Sequence, residues 1–265
     1  MSTDGSDKIG RVWDALSQEA RLLGDGEPAL AWLAKGIFTK SGGYPAALIN
    51  LVSETLRLTS ESDGEARKLI EQAINSDSEL VYKSALDLEA FLDRDPACSS
   101  FAEAFLFYRG FKALQAYRVA RFYWNSDRRA VARYLQSLIV DCCSMDLHPG
   151  ARIEGGVFID HGTGIVIGET AQVERNVSIL HNVTLGGTGK VGGQRHPKIS
   201  EGVMLGAGCK VLGNITVGRN SKVAAGSIVL ADVPENTTAV GIPARMISKD
   251  QTEVPAYDMK QDLGN

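Results

Sequence analysis

Two of the four histidines in this 265-residue sequence stand where an imidazole could do chemistry. His161 follows an aspartate in the stretch FIDHGTGIVIG, and His196 follows an arginine at the end of a glycine-rich stretch. An imidazole titrates near neutral pH and glycine lets a ligand approach the backbone, so both histidines are predicted to act on a substrate. His148 is predicted to be structural, and His181 is predicted to point inward at a small-residue position of a repeat.

A carboxylate, Asp146, lies fifteen residues before His161. One coil of a three-sided hexapeptide β-helix takes about 18 residues, so the two residues would lie on adjacent coils and could be in contact. A carboxylate that fixes the tautomer of an imidazole base is a recurring catalytic arrangement. A cap or turn role explains an aspartate equally well, and the spacing does not choose between the two interpretations.

These candidates lie on a six-residue repeat of aliphatic residues, in which twelve of thirteen positions are Ile, Leu or Val. The repeat positions are Leu147, Ile153, Ile159, Ile165, Ala171, Val177, Val183, Ile199, Leu205, Val211, Val217, Val223 and Val229. A hexapeptide repeat is the signature of a parallel β-helix, in which short strands stack coil on coil. The repeat residues are therefore predicted to face inward, and so are the small or apolar residues four positions later, such as Thr163 and Cys209.

The repeat breaks between Val183 and Ile199, which stand sixteen positions apart. Because sixteen is not a multiple of six, the glycine-rich insert TLGGTGKVGGQRHPK is predicted to protrude as a loop that ends in Arg195, His196 and Lys198. The insert lacks the G-x-x-x-x-G-K-[ST] pattern of a phosphate-binding P-loop.

Before the repeat, apolar residues recur every three to four positions, which is the period of α-helices. Helices are predicted at roughly 8–23, 28–39, 45–59, 64–75, 78–92 and 101–123, with the aromatic residues of the last one in the core. The predicted fold is thus α+β. An all-α domain is predicted over residues 1–143, a parallel β-helix with a protruding loop over 144–246, and a tail over 247–265.

Composition excludes several other classes of protein. Lys and Arg total 28 against 32 Asp and Glu, so no basic surface for nucleic acid is expected. No apolar run suggests a signal peptide or a membrane span, and four cysteines without a regular framework suggest reduced thiols in the cytoplasm. A trihistidine metal site needs three histidines at related depths, and only His161 and His181 stand about one coil apart, so no metal is predicted.

Seven motifs together resemble those of the serine O-acetyltransferase family. They are RDPA (94–97), GFKALQAYR (110–118), DLHPGARI (146–153), DHGTGIVIGET (160–170), VTLGGTGK (183–190), RHPKI (195–199) and GIPAR (241–245). The resemblance extends to about Met246 and implies that the β-helix is left-handed. It also implies trimers formed through the β-helices, hexamers that pair two trimers through the N-terminal helices, and active sites between neighbouring subunits of a trimer.

The resemblance further implies a reaction. The hydroxyl of L-serine would attack the thioester of acetyl-CoA, giving O-acetyl-L-serine and CoA in the first step of cysteine biosynthesis, with no metal and no covalent enzyme intermediate. His161 matches the family's general base, and Asp146 matches the carboxylate that orients it. His196 matches the second active-site histidine, which would help to hold serine and the developing oxyanion.

Contacts to both substrates are implied in the same way. Arg195 would pair with the carboxylate of serine, whereas Asp95 and Asp160 would take its ammonium and hydroxyl side.

Acetyl-CoA would lie along the outside of the coils. Backbone groups of Gly187, Ala207 and Ala225 would bind its pantetheine arm, and the charge and place of Lys222 and Arg245 suggest contacts with its phosphates.

Regulation and partners are the last implications. Family members are commonly inhibited by L-cysteine, and many end in an isoleucine that docks into O-acetylserine sulfhydrylase. This sequence ends AYDMKQDLGN, so that contact is expected to be lost or weakened unless the natural chain continues. Two alternatives stay open: an acyltransferase of the same repeat class with a sugar or another amine or alcohol as acceptor, and a noncatalytic scaffold that binds the sulfhydrylase.

Overall fold

The computed structural model describes residues 3–39, 42–58, 64–189, 192–248 and 254–261, and helices fill its first half. The helices are α1 (Thr3–Gly26), α2 (Ala31–Ala34), α3 (Tyr44–Thr55), α4 (Gly64–Ser76), α5 (Ser78–Arg94), α6 (Phe101–Phe107), α7 (Arg109–Asn125), α8 (Arg129–Cys143) and, near the C-terminus, α9 (Pro255–Asp258). A 3₁₀ turn (Pro28–Leu30) and a π-helical turn (Lys35–Thr39) flank α2.

The single helix predicted over 101–123 is two helices, because the chain is extended at Tyr108. The break lets α7 start against the second half of the molecule. A Cβ atom on Gly110 would lie 2.0 Å from the carbonyl oxygen of Ile159, so only glycine allows this approach. The aromatic residues that follow are buried as predicted, among them Phe105, Tyr117 and Tyr123.

After Ser144 the chain winds into short parallel strands. The strands are β1 (Asp146–Leu147), β2 (Arg152–Ile153), β3 (Phe158–Ile159), β4 (Val166–Ile167), β5 (Gln172–Val173), β6 (Ser178–Ile179), β7 (Thr184–Gly186), β8 (Lys198–Ile199), β9 (Met204–Leu205), β10 (Lys210–Leu212), β11 (Thr216–Val217), β12 (Lys222–Val223), β13 (Ile228–Val229), β14 (Thr237–Gly241) and β15 (Ala244–Ser248). Every third strand belongs to the same sheet until β14, and among these described strands only β15 runs antiparallel to its neighbour.

Three sheets therefore form the sides of a prism. Face A has the order β1-β4-β7-β10-β13, face B has β11-β8-β5-β2, and face C has β15-β14-β12-β9-β6-β3. We call the turns from face C to face A the first corner and the turns from face A to face B the second corner. This arrangement is the parallel β-helix predicted from the repeat, and the switch from helix to strand falls between Cys143 and Asp146.

The coils differ in length, and the differences correct the predicted register. Along face A, Asp146 pairs with Val166, Val166 with Thr184, Thr184 with Lys210, and Lys210 with Ile228. Successive coils thus take 20, 18, 26 and 18 residues. The first coil carries two extra residues at its first corner, and the third step carries eight extra residues in the predicted loop.

The two extra residues shift the strand positions. The strand residues that face the core along β4 to β7 are Ile167, Val173, Ile179 and Leu185, not the four residues predicted from Ile165 onward. Ile165, Ala171, Val177 and Val183 are buried as well, because they fill the second inward position of each hexapeptide. Thr163 and His181 were predicted to lie inward, and this was wrong: Thr163 is exposed and His181 is half-buried, both at the first corner. Cys209 is fully buried, as predicted.

Helix α7 supplies hydrogen bonds to the first coil. Strand β2 is the outermost strand of face B, so its outward carbonyl groups meet no neighbouring strand. Side chains of α7 donate to carbonyls within β2 and on either side of it: Tyr117 to Ala151, Arg118 to Ile153 and Glu154, and Arg121 to Pro149 and Gly150.

A buried ion pair joins α5, α7 and the first coil. The Arg118 guanidinium, 4% exposed, donates to both oxygens of Asp87, which is fully buried, at 2.7–2.9 Å. The Asp87 carboxylate also accepts the backbone N–H of Val157, which precedes β3, at 3.1 Å. The helical half is thus fixed to the coil through charged groups that water does not reach.

Two stretches of the predicted tail are described: residues 247–248 complete β15, and residues 254–261 lie against face C. Ser178 donates to the carbonyl of Ala256, and the Lys222 ammonium donates to the carbonyl of Lys260. The Arg94 guanidinium stacks over the ring of Tyr257, 4.4 Å from its centroid. Residues 262–265, on which the prediction about the C-terminal end depends, lie outside the described residues.

Candidate active site

His161 stands at the first corner with its side chain 74% exposed. Its backbone φ is +55°, a left-handed conformation that is uncommon outside glycine, and the glycines on either side of Thr163 share it. The corner opens into a cavity of about 1170 Å³, whose other wall comes from the connection between α5 and α6. The two extra residues of the first coil therefore push the imidazole out of the coil and into this cavity.

Two carboxylates share the cavity with His161. Asp160 Oδ1 lies 3.7 Å from His161 Nε2. Burial raises the pKa of Asp160, the imidazole of His161 opposes that rise, and the nearby Asp95 adds to it. Asp95 lines the opposite wall, where its Oδ1 accepts the N–H of Ala97. Three of the predicted site residues are thus together in one chain, two of them acidic.

Asp146 is elsewhere in the same chain. It begins β1 on face A, and its Oδ1 accepts a hydrogen bond of 2.6 Å from Gln136 of α8. Among the residues that the structure describes, no hydrogen bond or ion pair joins Asp146 to His161. The contact considered from the spacing is therefore not made within one protomer.

His196 and Arg195 lie at the second corner, with face A between them and His161. His196 is 8% exposed, and its Nδ1 lies 2.8 Å from the hydroxyl of Thr170. Burial lowers the pKa of His196, and the neighbouring Arg195 lowers it further. The Arg195 guanidinium donates to Glu169 at 2.5 Å, and this hydrogen bond lowers the pKa of Glu169. This corner thus presents a neutral imidazole beside a guanidinium fixed by one carboxylate.

His148 also belongs to the second corner. Its Nδ1 accepts the N–H of Gly150 at 2.9 Å, and its ring packs edge-on against Trp124 with centroids 4.9 Å apart. Burial, and secondarily the positive charge of Arg133, lower the pKa of His148 to about 4. These contacts agree with the structural role predicted for it.

The first corner forms a column along the coils. His161, His181, Ala207 and Ala225 each follow the inward strand residue of face C by two positions. The rings of His161 and His181 are 5.7 Å apart, and backbone hydrogen bonds continue the column from His181 to Gly208 and from Ala207 to Gly226. Two of the residues predicted to bind CoA, Ala207 and Ala225, thus lie in line with His161.

The remaining CoA candidates lie apart from this column. Gly187 follows β7 at the second corner, where a Cβ atom would be 3.6 Å from His196 Nε2. Arg245 is exposed on β15. Lys222 is buried on face C, and its ammonium already donates to Lys260. The structure therefore offers Arg245, but not Lys222, as an exposed cation.

Sequence reasoning missed Gln136, which donates to Asp146, and three residues that hold the second corner: Glu169, Thr170 and Gln194. A signal for Thr170 exists, because it precedes His196 by 26 residues, the length of the third step along the coil. This spacing can be recognised only when the eight extra residues are known to lie in the loop between Thr170 and His196.

Membrane spans, metal sites and disulfides can each be assessed for the residues that the structure describes. No helix among them is long and apolar enough to cross a membrane. In the same part of the chain, no cluster of three or more His, Cys, Asp or Glu side chains could hold a metal ion. All four cysteines are described, and they are free thiols.

Comparison with known proteins agrees with this geometry. A family model described as "Serine acetyltransferase, N-terminal" matches residues 12–116, and one described as "Bacterial transferase hexapeptide (six repeats)" matches residues 196–231. Serine acetyltransferase of Escherichia coli strain K12 is 46% identical over 250 residues, which cover 94% of this chain and 92% of that protein. The chain belongs to the serine acetyltransferase family.

Solved structures extend the likeness to three dimensions. Serine acetyltransferase from Vibrio cholerae superposes with a TM-score of 0.92 at 45% identity, over 96% of this chain and 99% of that one. A serine acetyltransferase in complex with cysteine has the same TM-score at 43% identity, over 96% and 99% of the two chains. One from Brucella abortus in complex with coenzyme A reaches 0.87 at 41% identity, over 92% and 98%. The left-handed form of the β-helix, expected from the resemblance, is confirmed by this family fold.

Proposed function

We propose that this protein transfers the acetyl group of acetyl-CoA to the hydroxyl of L-serine, giving O-acetyl-L-serine and CoA. The observation that carries the proposal is the first corner, where His161 projects into a cavity that it shares with Asp95 and Asp160. A base beside two carboxylates suits an acceptor that brings both a hydroxyl and an ammonium group. The curated relatives are named for the same reaction.

In this mechanism His161 takes the proton of the serine hydroxyl as the oxygen attacks the thioester carbonyl. A hydroxyl is a weak nucleophile near neutral pH, and a positioned base is worth roughly 10²–10⁴-fold in rate. The tetrahedral intermediate carries a negative oxygen, for which His196 is the donor. Collapse of the intermediate expels the CoA thiolate, which the protonated His161 can neutralise. Asp95 and Asp160 would take the ammonium and hydroxyl side of serine, and Arg195 its carboxylate.

Two half-sites of one chain must meet for this mechanism to work. His161, Asp160 and Asp95 belong to the first corner, whereas His196 and Arg195 belong to the second, across face A. Neighbouring copies in a trimer would place the first corner of one against the second corner of the next. The proposed assembly is a trimer through the β-helices, with two trimers paired through the helical halves into a hexamer. Asp146 would reach His161 in the same way, from the adjacent protomer.

An assay of acceptors tests the reaction itself. Acetyl-CoA is incubated with L-serine or with a panel of other hydroxyl and amino compounds, including sugars, and release of the CoA thiol is followed. Release with L-serine is expected. Release with another acceptor and none with L-serine would favour the alternative acyltransferase, and no release with any acceptor would favour the noncatalytic scaffold.

Mixed oligomers test the shared site. Co-expression of His161→Ala and His196→Ala protomers should restore roughly a quarter of wild-type turnover, because random assembly of a symmetric ring leaves that fraction of interfaces with both histidines. The matched control mixes His161→Ala with Asp95→Asn. Both changes damage the first corner, so no interface is intact and activity should stay at the level of the single variants. Equal activity of the two mixtures would contradict a site shared between protomers.

A substitution at Gly168, which lies beneath the ring of His196, tests whether this histidine acts as the oxyanion donor. A Cβ atom on Gly168 would lie 2.1 Å from the Cδ2 and Nε2 atoms of that imidazole. The ring can swing away at little cost to stability, but it then leaves its position as oxyanion donor. We expect Gly168→Ala to lower kcat by roughly 10²–10³-fold, the usual cost of losing such a donor. The control is Gly189→Ala in the loop, where a Cβ atom meets nothing within 4 Å and kcat should not change. A normal kcat for Gly168→Ala would argue against the role given to His196.

The remaining parts of the proposal concern regulation, the cell compartment and a partner protein. L-cysteine differs from L-serine only at one atom, so it should occupy the serine site and inhibit; a solved relative is in complex with cysteine. The proposed compartment is the cytoplasm, in keeping with four free thiols. O-acetylserine sulfhydrylase is retained as a proposed partner. Unchanged activity in excess L-cysteine would count against the regulatory part.

A further inference from the structure

A single threonine organises the second corner. The hydroxyl oxygen of Thr170 lies 3.0 Å from the backbone nitrogen of Arg195 and 3.2 Å from that of His196. The same oxygen lies 2.8 Å from His196 Nδ1, and the backbone nitrogen of Thr170 lies 3.2 Å from that atom. Gln194 closes the arrangement by donating to the carbonyl of Thr170 at 2.6 Å.

These contacts fix where the hydrogens are. A hydroxyl has one hydrogen to donate and two lone pairs that accept. Both lone pairs of Thr170 receive backbone N–H groups, so its hydrogen points to the third neighbour, His196 Nδ1. The backbone N–H of Thr170 also points to Nδ1, and it can only donate. Two independent donors thus require that Nδ1 be an acceptor without a hydrogen of its own.

The proton of the neutral His196 ring is therefore on Nε2. Among the described residues, Nε2 has no hydrogen-bond partner. It lies over Gly168, whose missing side chain leaves room for the ring, and beside Gly187. The ring thus presents an N–H group, and no lone pair, toward the space where the acyl group would lie.

We propose that Thr170 is a positioning residue that holds His196 in the Nε2–H tautomer, so that this histidine can only donate a hydrogen bond to the oxyanion. The assignment rests on the proposed function for what Nε2–H contacts, but the tautomer itself does not depend on it. It divides the two histidines by role: His161 is the proposed base, whereas the lone pair of His196 is already occupied by the two donors of Thr170.

The tautomer can be read directly in the wild-type protein. Solid-state NMR of protein labelled with ¹⁵N-histidine resolves the ring nitrogens of the four histidines, and His196→Gln identifies the signals of His196. We expect one unprotonated Nδ1 and one protonated Nε2 at pH 8. A proton on Nδ1, or a mixture of both tautomers, would overturn the assignment even if serine is acetylated at full rate. The expected spectrum in a protein that does not acetylate serine would refute the proposed function and leave the tautomer assignment intact.

A pair of threonine variants tests the positioning role. Thr170→Ser keeps the hydroxyl and should keep both the tautomer and kcat. Thr170→Val has nearly the same shape without the hydroxyl, and we expect mixed tautomers and a kcat lowered by at least about tenfold, with little change in KM for acetyl-CoA. In the His196→Ala background the valine change should cost nothing further, because its effect passes through His196. An equal loss in both backgrounds, or an equal loss for serine and valine, would overturn the positioning role.

Discussion

Replacing His161 is expected to lower kcat/KM for L-serine by roughly 10²–10⁴-fold, the range that a general base contributes. The size follows from the geometry, since none of the other three histidines lines the cavity. His181 lies beneath it but is half-buried, and its Nδ1 is buried without a partner among the described residues. The fold should not change, because the His161 side chain is 74% exposed and makes no core contact.

Two variants distinguish the loss of the imidazole base from a change in the backbone conformation at position 161. His161→Ala removes the ring, and His161→Asn keeps a polar side chain that tolerates the left-handed φ of +55°. Both should lose activity to the same extent, as measured by release of CoA thiol at saturating substrates, while thermal unfolding stays within a degree or two of wild type. Activity retained by the asparagine variant would mean that this corner needs a backbone shape and a hydrogen-bond donor, not a base.

Removing Arg118 should destabilise the fold by about 3–5 kcal/mol, the usual result of leaving a buried charge without its partner. Arg118→Met keeps the length of the side chain but leaves the carboxylate of Asp87, fully buried, without a cation. Burial alone raises the pKa of Asp87, and Arg118 is the main group that opposes this. The carbonyls of Ile153 and Glu154 would lose their donor as well.

The measurement is the free energy of unfolding from urea titration, at one fixed protein concentration because association shifts the apparent value. Arg67→Met is the matched control, since the Arg67–Glu71 pair is exposed and such pairs are worth about 0.2–1 kcal/mol. Replacing both buried partners, as in Asp87→Leu with Arg118→Met, should recover part of the loss. A cost for Arg118→Met no larger than that of Arg67→Met would show that the ion pair does not fix the helices to the coil.

The six-residue period was enough to predict the parallel β-helix, the buried aliphatic residues and a loop within residues 184–198. The predicted start of that loop was wrong, because Thr184–Gly186 form β7. A period does not reveal where extra residues enter a coil, and this explains the errors. The two extra residues near His161 leave an aliphatic residue, Ile165, six places after Ile159, so the repeat appears continuous while its register shifts. The inward position predicted for His181 failed for the same reason.

The types of residue in the candidate site could be predicted from the sequence, but their positions relative to one another could not. Asp146 and His161 lie close in sequence, yet they occupy different parts of the prism and face different neighbours. In the proposed trimer a second copy completes the site, and residue spacing within one sequence does not indicate which of its corners does so. Thr170 was missed because its role depends on three hydrogen bonds made across a coil of unusual length.

The hydrogen bonds from α7 to the first coil have a consequence for aggregation at high protein concentration. A strand with unpaired carbonyls on one side is a template on which strands of other molecules can assemble. Tyr117, Arg118 and Arg121 occupy that template with side chains that a foreign strand cannot easily displace. The helical half thus protects the β-helix against aggregation. A β-helix separated from it would expose the edge of β2, and aggregation is the first defect that we expect.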